Sequence, residues 1–343
     1  MKKKILLLLA VMLLAVSSGL YAQTVPGWVN NLGQAFPNKD WVAVVAQGSS
    51  QPQAETAAMN ALARAFKTDV ESITQSSQKF SQIVSGAKNN ISFDESKNFS
   101  QEVNTSTNVR GLIGVQTDVY RAPDRTVYVN ARMNRKECAA RYSGMIRENT
   151  AIIDRLLASA ATGEQGTFEA YTRLSFAHAI AQVTDNFQNI LEVLDPAAAS
   201  RRPGYGGVDA IKTKMIACAA LITIGIVVDT EQAADKTLLT RAAGSFFRDL
   251  GFKINESGQG SYVLRVNARF ELITQSLVSC RYYLDVALEN ARKTAIFSFT
   301  EDDRRAHPNT ESEARRLAVR AVETSLKEGN FAGEFDAWLN TLM

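Results

Sequence analysis

Residues 41–70 read WVAVVAQGSSQPQAETAAMNALARAFKTDV, a strand, a tight loop and a long amphipathic helix in one piece. Trp41 to Ala46 is an apolar, valine-rich run of strand length, and Gly48-Ser49-Ser50 ends it with residues that tolerate unusual backbone angles. Ser50 and Gln53 have capping-box spacing, and Pro52 falls where a first-turn proline loses no hydrogen bond. Beyond the cap, Ala54, Ala57, Ala58, Ala61, Leu62, Ala65, Phe66 and Val70 recur at spacings of three and four, one stripe of a helix. Because that stripe is mostly alanine, the helix can lie close on a sheet; packing on its own strands is the role it predicts.

Upstream, residues 1–22 have the layout of a secretory signal peptide: Lys2, Lys3 and Lys4, an apolar stretch from Ile5 to Val16, then small residues before Tyr21-Ala22-Gln23. The apolar part is shorter than the ~20 residues of a membrane-spanning helix, so cleavage after Ala22 is expected, with no direct membrane span thereafter. Cleavage would remove three lysines and no acids and take the formal charge from +3 to zero. A neutral chain without a basic stripe gives no support to nucleic-acid binding. Its length exceeds what one hydrophobic core usually organises, which predicts two domains.

Downstream, the helical stripe extends through Phe80, Ile83 and Val84 to about Ser85. The rest of residues 74–108 is polar, with Phe93, Phe99 and Val103 as its large apolar residues, and reads as a solvated excursion that fits helix or strand. Leu112 to Tyr120 and Thr126 to Met133 form a hairpin about Ala122-Pro123-Asp124-Arg125, the second strand alternating Val127, Val129, Ala131 and Met133 with polar residues. A second helix starts at Asn134, capped with Glu137, and carries Cys138, Tyr142, Met145, Ile146, Ile153, Leu156, Leu157 and Ala160 on its apolar side.

Gly163 and Gly166 break this helix, and Thr167 to Leu194 reads as two further helical stretches, a hairpin. Residues 197–209, AAASRRPGYGGVD, read as the linker. Beyond it the grammar of the first half returns. Leu221 to Val228 is a central strand, Glu231 to Leu250 a helix, Gly251-Phe252-Lys253-Ile254 the opening of a short strand, and Tyr262 to Thr274, Cys280 to Glu289 and Thr294 to Thr300 a meander expected to pair antiparallel. Thr310 and Glu313 cap a last long helix whose Ala314, Leu317, Ala318, Ala321, Val322 and Leu326 repeat the offsets of the opening one, and Phe331, Phe335, Trp338 and Leu339 mark a short terminal helix. The expected fold class is therefore α+β: two small modules of antiparallel sheet with amphipathic helices on one face, joined by a helical hairpin. The expected divisions are 1–22, 23–162, 163–196, 197–209 and 210–343.

Pro26-Gly27-Trp28, the strand ending in Gln47-Gly48-Ser49-Ser50, the alanine-rich helix and the hairpin before Met133 together resemble the twenty-kilodalton outer-membrane lipoprotein family and the N-terminal domain of flagellar assembly protein T, over residues 25–157. The second half is more loosely similar to the small modules of curli-secretion and penicillin-binding-protein-activator lipoproteins. The resemblance implies an envelope-associated, non-enzymatic protein that builds or stabilises a surface assembly, with other envelope proteins as partners, outer-membrane or flagellar components among the candidates. The chain departs from these families in lacking a cysteine near the Ala22 junction to carry a lipid.

Chemistry is sparse. The chain has His178 and His307, no Cys-x-x-Cys and no Gly-x-Ser-x-Gly elbow, so no catalytic residue, cofactor or metal is expected. His178 reads as a packed helix residue. Gly204, Gly206 and Gly207 lack the preceding strand and following Lys-Ser/Thr of a phosphate loop. Glu301-Asp302-Asp303-Arg304-Arg305-Ala306-His307 is the densest ionisable group and reads as a solvated connection with local ion pairs. Cys138 is expected as a buried thiol outside any disulfide, and a bond between Cys218 and Cys280 requires that their strands be neighbours. The favoured function is an envelope scaffold or assembly factor, periplasmic or outer-membrane-associated; the alternative is a periplasmic carbohydrate-binding protein or hydrolase.

Overall fold

The structure, a computed structural model, describes residues 24–66, 112–274, 278–306 and 310–342. The expected helix extension to Ser85 and the whole of 74–108 lie outside them, as does His307. The fold is α+β, and the described residues fall into two compact units, one ending at Cys138 and the other beginning at Ala139. The division expected at residues 197–209 thus differs from the one the packing gives.

In the first unit, two single-turn helices, α1 (Gly27–Asn30) and α2 (Leu32–Ala35), lead into β1 (Trp41–Gly48), α3 (Gln51–Ala65), β2 (Gln116–Arg121) and β3 (Val127–Asn134). The sheet order is β1-β3-β2, antiparallel throughout. Val127, Val129, Ala131 and Met133 are buried, as their alternation predicted. Helix α3 lies on β1 and β3 through Ala54, Ala58, Leu62 and Phe66, all fully buried. Its flank is Met59 and Ala63, while Ala57 and Ala61 are half-buried and Ala65 is exposed. Spacings of three and four admit two tilts of the stripe, and the sheet selects the one that buries the larger Met59. The turn into α3 is tight: a Cβ on Gly48 would stand 2.8 Å from the Ala54 nitrogen. The expected capping box is displaced by one residue. Gln53 Oε1 accepts from the Ser49 amide at 3.1 Å and the Ser49 hydroxyl at 2.8 Å, and Ser50 makes no side-chain cap. In the hairpin turn, Arg125 takes φ +70° and Asp124 accepts from the Thr126 amide at 3.0 Å.

The second unit holds α4 (Arg135–Thr162) from Ala139 on, then α5 (Phe168–Leu194), α6 (Pro196–Ala199) and α7 (Val208–Ala219). Residues 168–194 are one helix rather than two stretches, since no Gly or Pro interrupts them. The hairpin is formed by α4 with α5, joined by a tight turn where Gly166 takes φ +75° and Thr167 caps α5. The Tyr142 and Phe187 rings meet at 5.4 Å, and Asn149 donates to Thr184 at 3.1 Å. The segment expected as linker packs inside this unit: Ala199 and Tyr205 are buried, and Gln188 donates to the Ala199 carbonyl.

The sheet of this unit comprises β4 (Thr223–Asp229), β5 (Lys253–Asn255), β6 (Tyr262–Thr274), β7 (Val278–Asn290) and β8 (Ala295–Ala306), in the order β5-β4-β6-β7-β8. The meander β6-β7-β8 pairs antiparallel as expected, but the sheet as a whole is mixed, since β4 runs parallel to both β5 and β6. Helix α8 (Ala233–Asp249) carries the chain back along β4, so the next strand starts from the same end. Because β5 is three residues long, a short loop then suffices to reach β6. That loop crosses directly over Gly225, where a Cβ would lie 2.5 Å from the carbonyl carbon of Gly258.

Helix α8 packs with α9 (Glu311–Glu328), and α9 with α10 (Asn330–Thr341) and the sheet. Thr310 Oγ1 accepts from the Glu313 amide, as the cap predicted. Inward residues of β6 and β7 alternate strictly, Leu264, Val266, Ala268 and Phe270 against Leu288, Val286, Leu284 and Tyr282. Phe168 binds the hairpin to this core: its ring meets Phe252 at 5.3 Å, Tyr262 at 4.6 Å, Phe335 at 5.9 Å and Trp338 at 5.4 Å.

All three cysteines are buried and none is in a disulfide. Cys218 ends α7 beside Gly166, near the Tyr262 end of the sheet. Cys280 pairs with Leu272, ten residues further along β6, about 33 Å away at the rise of a strand. A disulfide needs Cα atoms within about 7 Å, so the expected bond between them cannot form.

Trypsin should nick after the exposed Arg201, since the bond after Arg202 precedes Pro203 and resists it. Since α5 and the strands share the Phe168 ring cluster, the nicked pieces should elute as one species in gel filtration and separate only in denaturant. Elution as two folded fragments would contradict the single core.

Candidate functional site

The densest ionisable cluster is not a connection. Strand β8 runs through it to Ala306, with Glu301 opposite Leu284, Asp302 opposite Tyr283 and Asp303 opposite Tyr282. Pairing with β7 holds these charges in strand geometry, and the pleat sends them alternately to the two faces. Asp302 turns outward to Arg281 and Asp303 pairs with Arg305 at 2.8 Å, while Arg304 Nε donates to Ser279 at 2.7 Å.

Glu301 faces the helices. Its carboxylate accepts from the Tyr282 hydroxyl at 2.8 Å, from Asn330 Nδ2 at 3.2 Å and from the Ser325 hydroxyl. Three elements besides β8 therefore converge on one side chain: β7 through Tyr282, α9 through Ser325 and the start of α10 through Asn330. Burial, then the hydrogen bond to Glu301, raises the Tyr282 pKa well above its ordinary value, so the phenol stays protonated and donates. Beside this node opens a cleft of about 560 Å³ whose wall includes Arg305, Arg320, Leu317 and Thr324.

A serine against a carboxylate can suggest nucleophilic chemistry. Here Ser325 is 4% exposed at the wall of the cleft, and Glu301 already accepts from two further donors. An activated nucleophile needs a base with spare acceptor capacity. The geometry is that of a strap holding strand to helices.

A second polar node lies between α8 and α9. Arg315, its side chain 14% exposed, pairs with Asp235 at 2.7 Å and Glu231 at 3.6 Å and stacks 4.8 Å from the Phe270 ring. Burial pushes the nearby Cys280 thiol up, with Arg315 opposing. Sequence reasoning missed this node, because Arg315 and Asp235 are 80 residues apart.

The remaining sequence candidates stay scattered. His178 is half-buried on α5 between Ala177 and Ala179. Gly206 and Gly207 take φ of +85° and +90° and lead into α7, preceded by helix rather than strand. Among the described residues, no group of three or more His, Cys, Asp or Glu side chains could hold a metal ion. Among the same residues, no helix is long and apolar enough to cross a membrane.

No protein-family model matches the chain, and no curated protein matches it. Among solved structures it is similar to a minor lipoprotein from Acinetobacter baumannii, with 15% identity and a TM-score of 0.24, covering 34% of this chain and 91% of that one. It is also similar to a secreted protein from Helicobacter pylori, with 12% identity and a TM-score of 0.38, covering 83% of this chain and 97% of that one.

Replacing Glu301 by alanine leaves the Tyr282 and Ser325 hydroxyls without their acceptor, which should cost about 2 kcal/mol of stability. Glu301→Gln keeps one acceptor oxygen and should cost less; urea midpoints of the two variants measure both. Tyr171 and Tyr205 are raised, chiefly by burial, from 10.0 to about 12. The folded state therefore holds protons that the unfolded state releases. Their contribution to stability is fully present below pH 10 and should be lost as pH rises towards 12, giving a falling urea midpoint over that window and a shallower fall in Tyr205→Phe.

Proposed function

We propose that this chain is exported to the bacterial cell envelope, in the periplasm or at the outer membrane, and acts there by binding, as a structural or assembly factor rather than an enzyme. The observation that carries the non-catalytic part is the Glu301 node. The densest collection of ionisable residues spends its hydrogen bonds and ion pairs inside the fold, strapping β7, β8, α9 and α10 together. Export rests on residues 1–22, where a lysine cluster, a short apolar stretch and small residues follow one another. The resemblance of residues 25–157 to outer-membrane lipoprotein and flagellar assembly modules supports other envelope proteins as partners.

Two measurements on one preparation test this reading. N-terminal sequencing of protein recovered from the envelope fraction should begin near Gln23, and cross-linking there should recover envelope assembly components. A chain that keeps Met1, or one retained on polysaccharide without any cross-linked protein, would replace the assembly reading with the carbohydrate-binding one or remove export altogether.

A further inference from the structure

Helices α4, α5 and α7 of the second unit enclose a cavity of about 260 Å³. Its wall is made by Leu157, Ala160, Ala170, Leu174, Ala217 and Leu221. Three of these six are alanines, where methyl groups leave room that larger side chains would fill by interdigitating. The Cys218 thiol also faces the cavity, and Lys214 and Gln165 are its polar lining. Among the described residues that line it, none is acidic. Lys214 is exposed on α7, so its ammonium offers an unopposed positive charge at an apolar opening.

The surface around this opening is unusual for the molecule. Leu221, at the opening, is 56% exposed. Large apolar side chains left in water beside an apolar hollow mark a place where burial is still to be gained. An occupant must therefore be apolar along its length and anionic at one end. Size narrows it further: a methylene needs about the ~30 Å³ that a water molecule takes in the liquid, so the cavity holds roughly eight to ten carbons.

We propose that this cavity seats the chain of a free medium-chain carboxylate, with its carboxylate paired to Lys214. The ligand enters beside Leu221, which closes over the chain, and its methylenes lie against Leu157, Leu174 and Cys218. The site is separate from the Glu301 node and does not depend on the assembly role.

Titration of the full chain with octanoate, decanoate, tetradecanoate and decanol, read by calorimetry, tests this. Affinity should rise about fourfold per methylene up to about ten carbons and then level off. Decanoate should bind about threefold tighter than decanol, and Lys214→Gln should abolish that difference. Ala217 is exposed, so Ala217→Phe blocks the cavity without disturbing the core and should weaken decanoate at least tenfold. Independently of any variant, decanoate should slow alkylation of Cys218 at least tenfold and leave Cys138 and Cys280 unchanged. Affinity that keeps rising through fourteen carbons, binding unaltered by Ala217→Phe, no saturable binding, or an unprotected Cys218 would each overturn the assignment.

Discussion

The second unit depends on one ring. Phe168 is the first residue of α5, and it is 1% exposed among Phe252, Tyr262, Phe335 and Trp338, contributed by the loop after α8, by β6 and by α10. Each edge-to-face aromatic pair adds about 0.5–1.5 kcal/mol beyond the area it buries, and these pairs share a single side chain. The constraint is directional as well as energetic. Thr167 must cap α5 just there, and Gly166 must adopt a positive φ just before it, for the ring to point into the sheet. The terminal helix α10 then closes over the same cluster through Phe331 and Phe335, which also meet Phe246, Phe247 and Phe297. The chain's last helix is therefore part of the core.

What the sequence made legible is what neighbours in the chain decide. The strand-loop-helix of 41–66, the Pro-Asp hairpin turn and the caps at Asn134 and Thr310 all rest on contacts within a few residues, and the structure contains them. Even the displaced cap belongs here: Ser49 and Ser50 offer nearly the same hydroxyl, and only the approach of Gly48 to Ala54 decides which one Gln53 meets. Strand direction in the second sheet is different. The strand-helix-strand order of 223–255 implies a parallel pair, but a strand as short as β5 carries little weight beside the long meander. Helix α5 was divided because its apolar residues lie on nearly all sides, which is the pattern of a buried helix and blurs a single stripe.

The polar nodes were legible only as composition. Glu301 to Arg305 stood out as a cluster, but its partners Tyr282, Ser325 and Asn330 are spread over three elements, and nothing local marks them. Arg315 is the stronger case: a guanidinium between Asp235, Glu231 and the Phe270 face reads, in sequence, as an ordinary surface arginine of a capped helix. A charge so nearly buried is retained only if its partners are in place, so the node makes the α8–α9 packing specific rather than merely favourable.

The distribution of surface chemistry over the second unit follows from its layering. With helices on one face of the β6–β7–β8 sheet, the other face meets water, and its residues are charged in both signs: Arg265 with Glu289 at 2.9 Å, Arg269 with Asp285 at 3.6 Å, and Arg281 with Asp302. Exposed pairs of this kind add little stability, but alternating charges along long strands deny an incoming strand or apolar surface any purchase. Exposed Leu272, near the end of β6, belongs by alternation to the helix-covered face, one step beyond buried Phe270. Just beyond α7 the rule is reversed, since Leu221 faces water at a hollow walled with alanine and leucine. A chain that guards its open sheet with charge and leaves its helical opening apolar places its capacity for apolar recognition on the helices and not on the sheet.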